Sequence, residues 1–167
     1  MSFSLLPAMV APAITDIRPE VLRNHGIALL MLDFDNTIVP YTTSEPTQAV
    51  LDWFREMKNA GITLCIVSNS RNSRVRMFCE KYELDCITHA KKPFTKGIVA
   101  CMQKYDKQPR QCALVGDQIY TDTLGANCAG IRAILVKAID NHNFWLKARN
   151  VAELPFRFIA KNRRIKP

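Results

Sequence analysis

Short apolar runs alternate with amphipathic stretches over most of this chain. Residues 27–32 are an unbroken apolar run of strand length, ending at Asp33. The period then changes. Over residues 46–60, Val50, Leu51, Phe54 and Met57 recur at helical spacing, Pro46 suits a first turn and Gly61 a stop. Trp53 and Phe54 share that face and read as core. Residues 62–67 return to strand character and run into the polar turn Ser68-Asn69-Ser70. The pattern goes on to predict a helix over 74–83, a strand over 84–88 and a helix over 94–105. A strand over 113–115 then leads into Gly116-Asp117, followed by a helix near 121–128 and a fifth strand over 131–136. Strands that are apolar on both faces and separated by helices imply a parallel sheet covered on both sides. Right-handed crossovers make it doubly wound. The expected fold is therefore α/β, a Rossmann-like parallel sheet of about five strands. Residues 27–137 form its core, between an apolar N-terminal segment (1–26) and a C-terminal stretch (138–167), all in one domain.

Composition narrows the function classes. A length of 167 residues suits one domain with a full core. With 48% hydrophobic and 23% charged residues, disorder and collagen-like repeats are excluded. No stretch approaches the roughly 18 uninterrupted apolar residues of a membrane-spanning helix. No Lys or Arg precedes Arg18, and Pro7 and Pro12 break the N-terminal apolar run, which argues against a secretory signal. Six cysteines without CxxC spacing fit reduced thiols in a cytoplasmic protein better than a zinc site or a disulfide framework. The net charge of +8 is concentrated at one end. From Lys147 to Pro167 seven basic residues face one acidic residue, Glu153, and supply +6 of the total. Such a tail suits a polyanionic partner: an anionic membrane surface, a nucleic acid or an acidic protein.

Ligands of doubly wound sheets bind at the carboxyl ends of the strands. There the first strand presents Asp33-Phe34-Asp35-Asn36-Thr37, the second Ser68 and Asn69, and the fourth Gly116-Asp117, with Asp122 five residues later. The loop after the third strand carries Lys91-Lys92-Pro93. Packed carboxylates raise one another's pKa unless a cation neutralises them. All-oxygen ligand sets favour Mg²⁺, and the hydroxyl and ammonium would then face a phosphate. His25, His89 and His142 have no carboxylates framing them and read as loop or surface residues. Arg71, Arg74 and Arg76 read as a solvated helix face, with a contact to an anionic substrate as the alternative.

DFDNT, SN, KKP and GDQIYTD, in that order and at strand ends, resemble the four motifs of the haloacid-dehalogenase-like phosphatase superfamily. LDFDNTIVP, SNSRNSRV and GDQIYTDTLGANCAG resemble its YqeG-type group in subclass IIIA, related to the phosphatidylglycerophosphate phosphatases. The resemblance covers about residues 14–136. It implies that Asp33 is the nucleophile and forms an aspartyl-phosphate, and that Asp35 is the general acid and base. It implies Mg²⁺ held by Asp33, the Asp35 carbonyl and Asp117, with Asp122 as a further ligand or orienting a metal-bound water. Ser68 and the backbone at Asn69 would hold phosphate oxygens. The motif lysine, taken as Lys92 with Lys91 as the alternative, would pair with Asp33 and the transferring phosphoryl group.

Members of the superfamily often carry an inserted cap domain. Here 32 residues separate Asp35 from Ser68 and 23 separate Ser68 from Lys92, each consumed by one helix and one strand. A capless, open site would admit phosphates attached to something large. Apolar Phe3, Leu5, Leu6, Met9, Val10 and Ile14, together with the mixed aromatic and basic stretch 156–166, have the makings of a peripheral membrane contact. The expected substrate is phosphatidylglycerophosphate at the inner face of a membrane. The alternatives are a phosphatase for proteins, nucleotides or small metabolites, and a ribosome- or nucleic-acid-associated factor that uses the fold for binding.

Overall fold

Six parallel strands, one more than the pattern predicts, form a single sheet in the computed structural model, which describes residues 4–71 and 73–140. In chain order the elements are β1 (Met9–Ala11), α1 (Pro19–Asn24), β2 (Leu29–Leu32), α2 (Gln48–Asn59), β3 (Thr63–Val67), α3 (Ser73–Lys81), β4 (Asp85–Ile87), α4 (Lys96–Lys104), β5 (Cys112–Gly116), α5 (Leu124–Ala129) and β6 (Arg132–Val136). The strand order is β1-β6-β5-β2-β3-β4. The added strand is β1, which pairs in parallel with β6, Met9 opposite Ile134. Three residues between Pro7 and Pro12 are too few to show a period, and an edge position tolerates the flanking prolines. Through β1 the N-terminal arm folds onto the sheet and buries Met9, Ala11, Ile14, Ile17 and Leu22. Phe3, His142 and the basic tail lie outside the described residues.

Period-two alternation sorts each strand onto two cores. Leu30, Leu32, Leu64, Ile66, Ala113 and Val115 face one side, where they pack with the N-terminal arm, α2 and α3. Leu29, Met31, Cys65, Val67, Leu114 and Ala133 face the other, where they meet α4 and α5. Covering both faces is what makes β2 apolar at every position. The helices follow from local chemistry. The Thr47 hydroxyl accepts from the Val50 amide to cap α2, and Gly130, at φ 74°, closes α5 in the left-handed conformation. Trp53, on the buried face of α2, donates its indole N–H to the Ile17 carbonyl at 2.8 Å and ties the arm to the domain.

This topology places the site. From β2 the chain steps outward to β3 and β4, then returns to the other flank of β2 as β5. Strand order reverses beside β2, so the loops after β2, β3 and β5 converge on one crevice. Among the described residues there is one sheet and no cap domain.

Candidate active site

The alternation of β2 continues past its end. Phe34 extends the Leu30–Leu32 face and packs edge-on against Phe78 of α3, with ring centroids 5.0 Å apart. Asp33 falls on the opposite side, its amide bonded to the Val115 carbonyl at 2.8 Å. The chain then doubles back. Asn36 takes a left-handed φ of 61°, its amide reaches the Val39 carbonyl at 2.7 Å, and Asp35 bridges to Val39. Asparagine is among the few non-glycine residues that adopt this conformation readily. The turn leaves Asp35 at the crevice, half-buried and two residues beyond Asp33.

Lys92 lies at the centre of the site. Its Nζ is 2.6 Å from Asp33 Oδ1 and 2.7 Å from Asp122 Oδ1, with its side chain 1% exposed. Lys91 is exposed, so of the two motif lysines the structure brings Lys92 to the carboxylates. Asn69 fixes the Lys92 backbone, donating from Nδ2 to its carbonyl at 2.9 Å and accepting from its amide at 2.7 Å. The Asn69 side-chain amide is thus committed to holding the lysine, which leaves the expected phosphate contact to its backbone. Ser68 is buried at the end of β3, where its Oγ accepts from the Ser70 amide at 3.0 Å and keeps its hydroxyl proton to donate.

Asp33, Asp117 and Asp122 are all buried and offer carboxylate oxygens within 4.8 Å of one another. Gly116 makes this approach possible, since a Cβ there would collide with the Asp122 carboxylate. The Gln118 amide also donates to Asp122 Oδ2 at 3.1 Å. Three carboxylates around one ammonium leave a formal charge of −2 in a buried space. Burial pushes the Asp33 carboxyl from its ordinary 3.8 up to about 7; the nearby Lys92 ammonium pulls it down and the Asp122 carboxylate adds to the rise. Burial pulls the Lys92 ammonium down, but Asp122 and Asp33 more than reverse this and hold it protonated. A small divalent cation with oxygen ligands meets the charge, the donor type and the room that Gly116 leaves. The donor set fits Mg²⁺.

Asp35, also named from its motif, stands apart from this trio. Its carboxylate pairs with Arg74 at 3.1 Å, the two side chains 18% and 17% exposed. Burial raises its carboxyl pKa and Arg74 opposes the rise. Arg71 and Arg76 are exposed, as a solvated face requires, but Arg74 is turned inward. Its guanidinium carbon stands 4.9 Å from the Phe34 ring centroid, and it donates to the Pro40 and Tyr41 carbonyls at 3.0 and 3.1 Å. His25 and His89 are exposed.

Comparison with known proteins agrees with this geometry. The HAD-hydrolase-like family model matches residues 89–148. The Probable phosphatase YqeG of Bacillus subtilis (strain 168) is 35% identical over 131 residues, 78% of this chain and 76% of that protein. The chain belongs to the haloacid-dehalogenase-like (HAD) phosphatases. Solved structures show the same fold at low identity. An uncharacterized protein from Listeria monocytogenes serotype 4b superposes with a TM-score of 0.56 at 16% identity, over 79% of this chain and 99% of that one. A HAD superfamily (subfamily III A) hydrolase from Legionella pneumophila gives 0.53 at 15% identity, over 78% and 77%.

Proposed function

We propose that this HAD phosphatase cleaves phosphate monoesters through an aspartyl-phosphate on Asp33, with Mg²⁺ as cofactor, and that its substrate is a lipid phosphate, phosphatidylglycerophosphate. The observation that carries the chemistry is the buried carboxylate trio sharing one ammonium, with a separate, half-buried Asp35 beside it. Asp33 attacks phosphorus, the phosphorus–ester oxygen bond breaks, and Asp35 gives its proton to the departing alkoxide. Asp35, now a carboxylate, takes a proton from a water that attacks the phosphoryl group, which frees Asp33 and inorganic phosphate. Lys92 neutralises Asp33 and the charge that builds on the phosphoryl oxygens, and the Ser68 hydroxyl donates to one of them. Asp33, Asp117, Asp122 and the Asp35 carbonyl would hold Mg²⁺, which supplies charge neutralisation between the two anions that must meet.

The lipid assignment draws on the rim. Four exposed large hydrophobic residues, Tyr41, Phe94, Tyr120 and Ile139, lie on the segments that follow β2, β4, β5 and β6 at the carboxyl end of the sheet, Tyr120 in a helical turn. The chain leaving β6 is fastened to the catalytic loop. The Asn36 side chain donates to the Asp140 carbonyl at 2.7 Å, and the Ile139 amide donates to the Asn36 carbonyl at 3.0 Å. Asp140 therefore lies beside the site, and the basic residues 147–167 come later in the sequence. Apolar side chains that insert and cations that stay at the headgroups suit a peripheral contact with an anionic bilayer. Among the described residues no helix is long and apolar enough to cross a membrane.

The test is phosphate release from phosphatidylglycerophosphate in anionic vesicles and from soluble phosphate esters, with and without Mg²⁺, together with acid-quench trapping of phosphoenzyme. Trapped phosphate should disappear in Asp33→Asn and build up when turnover is quenched in the wild type. Phosphoenzyme formed by Asp33→Asn would overturn the nucleophile. A preference for soluble esters over the vesicle-borne lipid would overturn the substrate.

A further inference from the structure

The geometry points to Arg74 as the positioning residue that holds the Asp35 carboxyl at the leaving-group side of the site; this rests on Asp35 being the general acid. A general acid works only if its carboxyl stands within hydrogen-bond reach of the departing oxygen. Nothing in β2 provides that for Asp35, because the residue lies beyond the strand, in a turn whose backbone bonds fix Asn36 and Val39 but leave the Asp35 side chain to find a partner. Arg74 is that partner. Its guanidinium carbon lies over the buried Phe34 ring, and the group spans from Asp35 to the Pro40 and Tyr41 carbonyls. One side chain from α3 therefore holds both the acid and the loop that follows it. A planar guanidinium with five donors can do this where an ammonium cannot. Its contacts with Asp35, two carbonyls and a ring suit a positioning role better than a phosphate contact.

The same loop is fastened a second time, farther out. Lys81 and Tyr82 of the α3 end hold the Glu45 carboxylate at 2.8 and 2.7 Å. The Glu45 carboxylate lies at the exposed end of this latch, and its link to Phe34 runs only indirectly, through Tyr82 and Phe78. It therefore separates two roles, since loosening the loop at Glu45 should not disturb the acid.

The experiment measures kcat/KM, which reports steps up to the first irreversible one, across a series of aryl and alkyl phosphates with leaving groups of rising basicity. Good leaving groups depart without a proton and poor ones need it. Asp35→Asn should lose activity progressively along the series, by roughly 10²–10⁴-fold at the alkyl end. Arg74→Gln should lose activity on every substrate, with the loss growing along the series to about tenfold or more beyond that on p-nitrophenyl phosphate. Arg74→Lys should fall between Arg74→Gln and wild type and guards against a misfolded glutamine variant. Glu45→Gln should show no dependence on the leaving group, and Asp35→Asn/Arg74→Gln should be no steeper than Asp35→Asn alone. A flat loss for both Arg74 variants, beside a steep one for Asp35→Asn, would overturn the proposal and assign Arg74 to the fold or to the phosphoryl group. A flat loss for Asp35→Asn would overturn the acid assignment first and the Arg74 role with it.

Discussion

Replacing Asp33 by asparagine should destroy turnover and yet make the metal-free protein more stable at pH 8. Burial pushes this carboxyl from 3.8 to about 7, with Lys92 opposing the rise and Asp122 adding to it. At about 1.4 kcal/mol per unit of pKa, the ionised side chain costs the metal-free fold about 4 kcal/mol above pH 7. Asparagine carries no charge, but its amide oxygen is a weaker acceptor for Lys92 than the carboxylate Oδ1 it replaces. Roughly half of the gain should survive, about 2 kcal/mol. For a chain of this size that raises Tm by about 4–8 °C. The pH dependence gives the sharper test. The folded pKa lies above the unfolded one, so wild-type stability is full below 3.8 and falls as pH rises towards 7. The advantage of Asp33→Asn should therefore be largest at pH 8, vanish near pH 5 and turn into a small disadvantage below that. Calorimetry in chelator, followed by a Mg²⁺ titration, reads all of this, and Mg²⁺ should raise Tm far more for wild type than for the variant. A lower metal-free Tm for Asp33→Asn at pH 8, or an advantage independent of pH, would refute the charge-crowding argument.

Gly116→Ala should push the Asp122 carboxylate away from Lys92, because the new Cβ claims its space; the Mg²⁺ needed for half-maximal activity should rise about 10–100-fold, and an unchanged Mg²⁺ titration would contradict this. Removing residues 157–167 takes away five basic residues and no acidic one. At about 1 kcal/mol per charge near an anionic surface, four contacts are worth nearly a thousandfold in vesicle binding, so hydrolysis of vesicle-borne lipid phosphate should fall while a soluble ester is turned over at the same rate; equal losses on both would contradict a membrane role. Asp117→Ala should abolish the Mg²⁺-dependent rise in Tm along with activity, and a retained rise would remove Asp117 from the ligand set.

The architecture was legible because each central strand is buried on both faces. That burial makes residues 27–32 and 64–67 continuous apolar runs, and such runs between amphipathic helices admit few arrangements other than a doubly wound parallel sheet. The edges were less legible. β1 is three residues between prolines, and its place is set by pairing with β6, a contact between positions more than a hundred residues apart. The acidic trio was legible for a related reason. Asp33 and Asp117 are the first polar residues after buried strands, so the chain itself marks where side chains turn from core to crevice. Asp122 follows Gly116, whose missing side chain marks a close approach that only the folded form explains.

Arg74 shows where such reading stops. Three arginines at 71, 74 and 76 look equivalent along the chain, and a solvated face is the natural expectation for a helix that starts with them. What separates them is helical phase. Val75, Phe78 and Cys79 are the buried face of α3, and Arg74 lies four residues before Phe78, at the margin of that face. Phe78 packs on Phe34, and Phe34 sits between Asp33 and Asp35. A guanidinium at that margin therefore lies over the Phe34 ring within reach of Asp35, whereas Arg76 points to solvent. The alternation of β2 sends Phe34 towards α3 and Asp33 away from it, so the ring is both a core residue and the floor on which Arg74 rests. A variant that shrinks this floor, Phe34→Leu, should lose activity increasingly towards poor leaving groups, as Arg74→Gln does, and lose stability as well, because the guanidinium would no longer rest on the ring. Wild-type leaving-group behaviour in Phe34→Leu would show that Arg74 is placed by the two loop carbonyls instead.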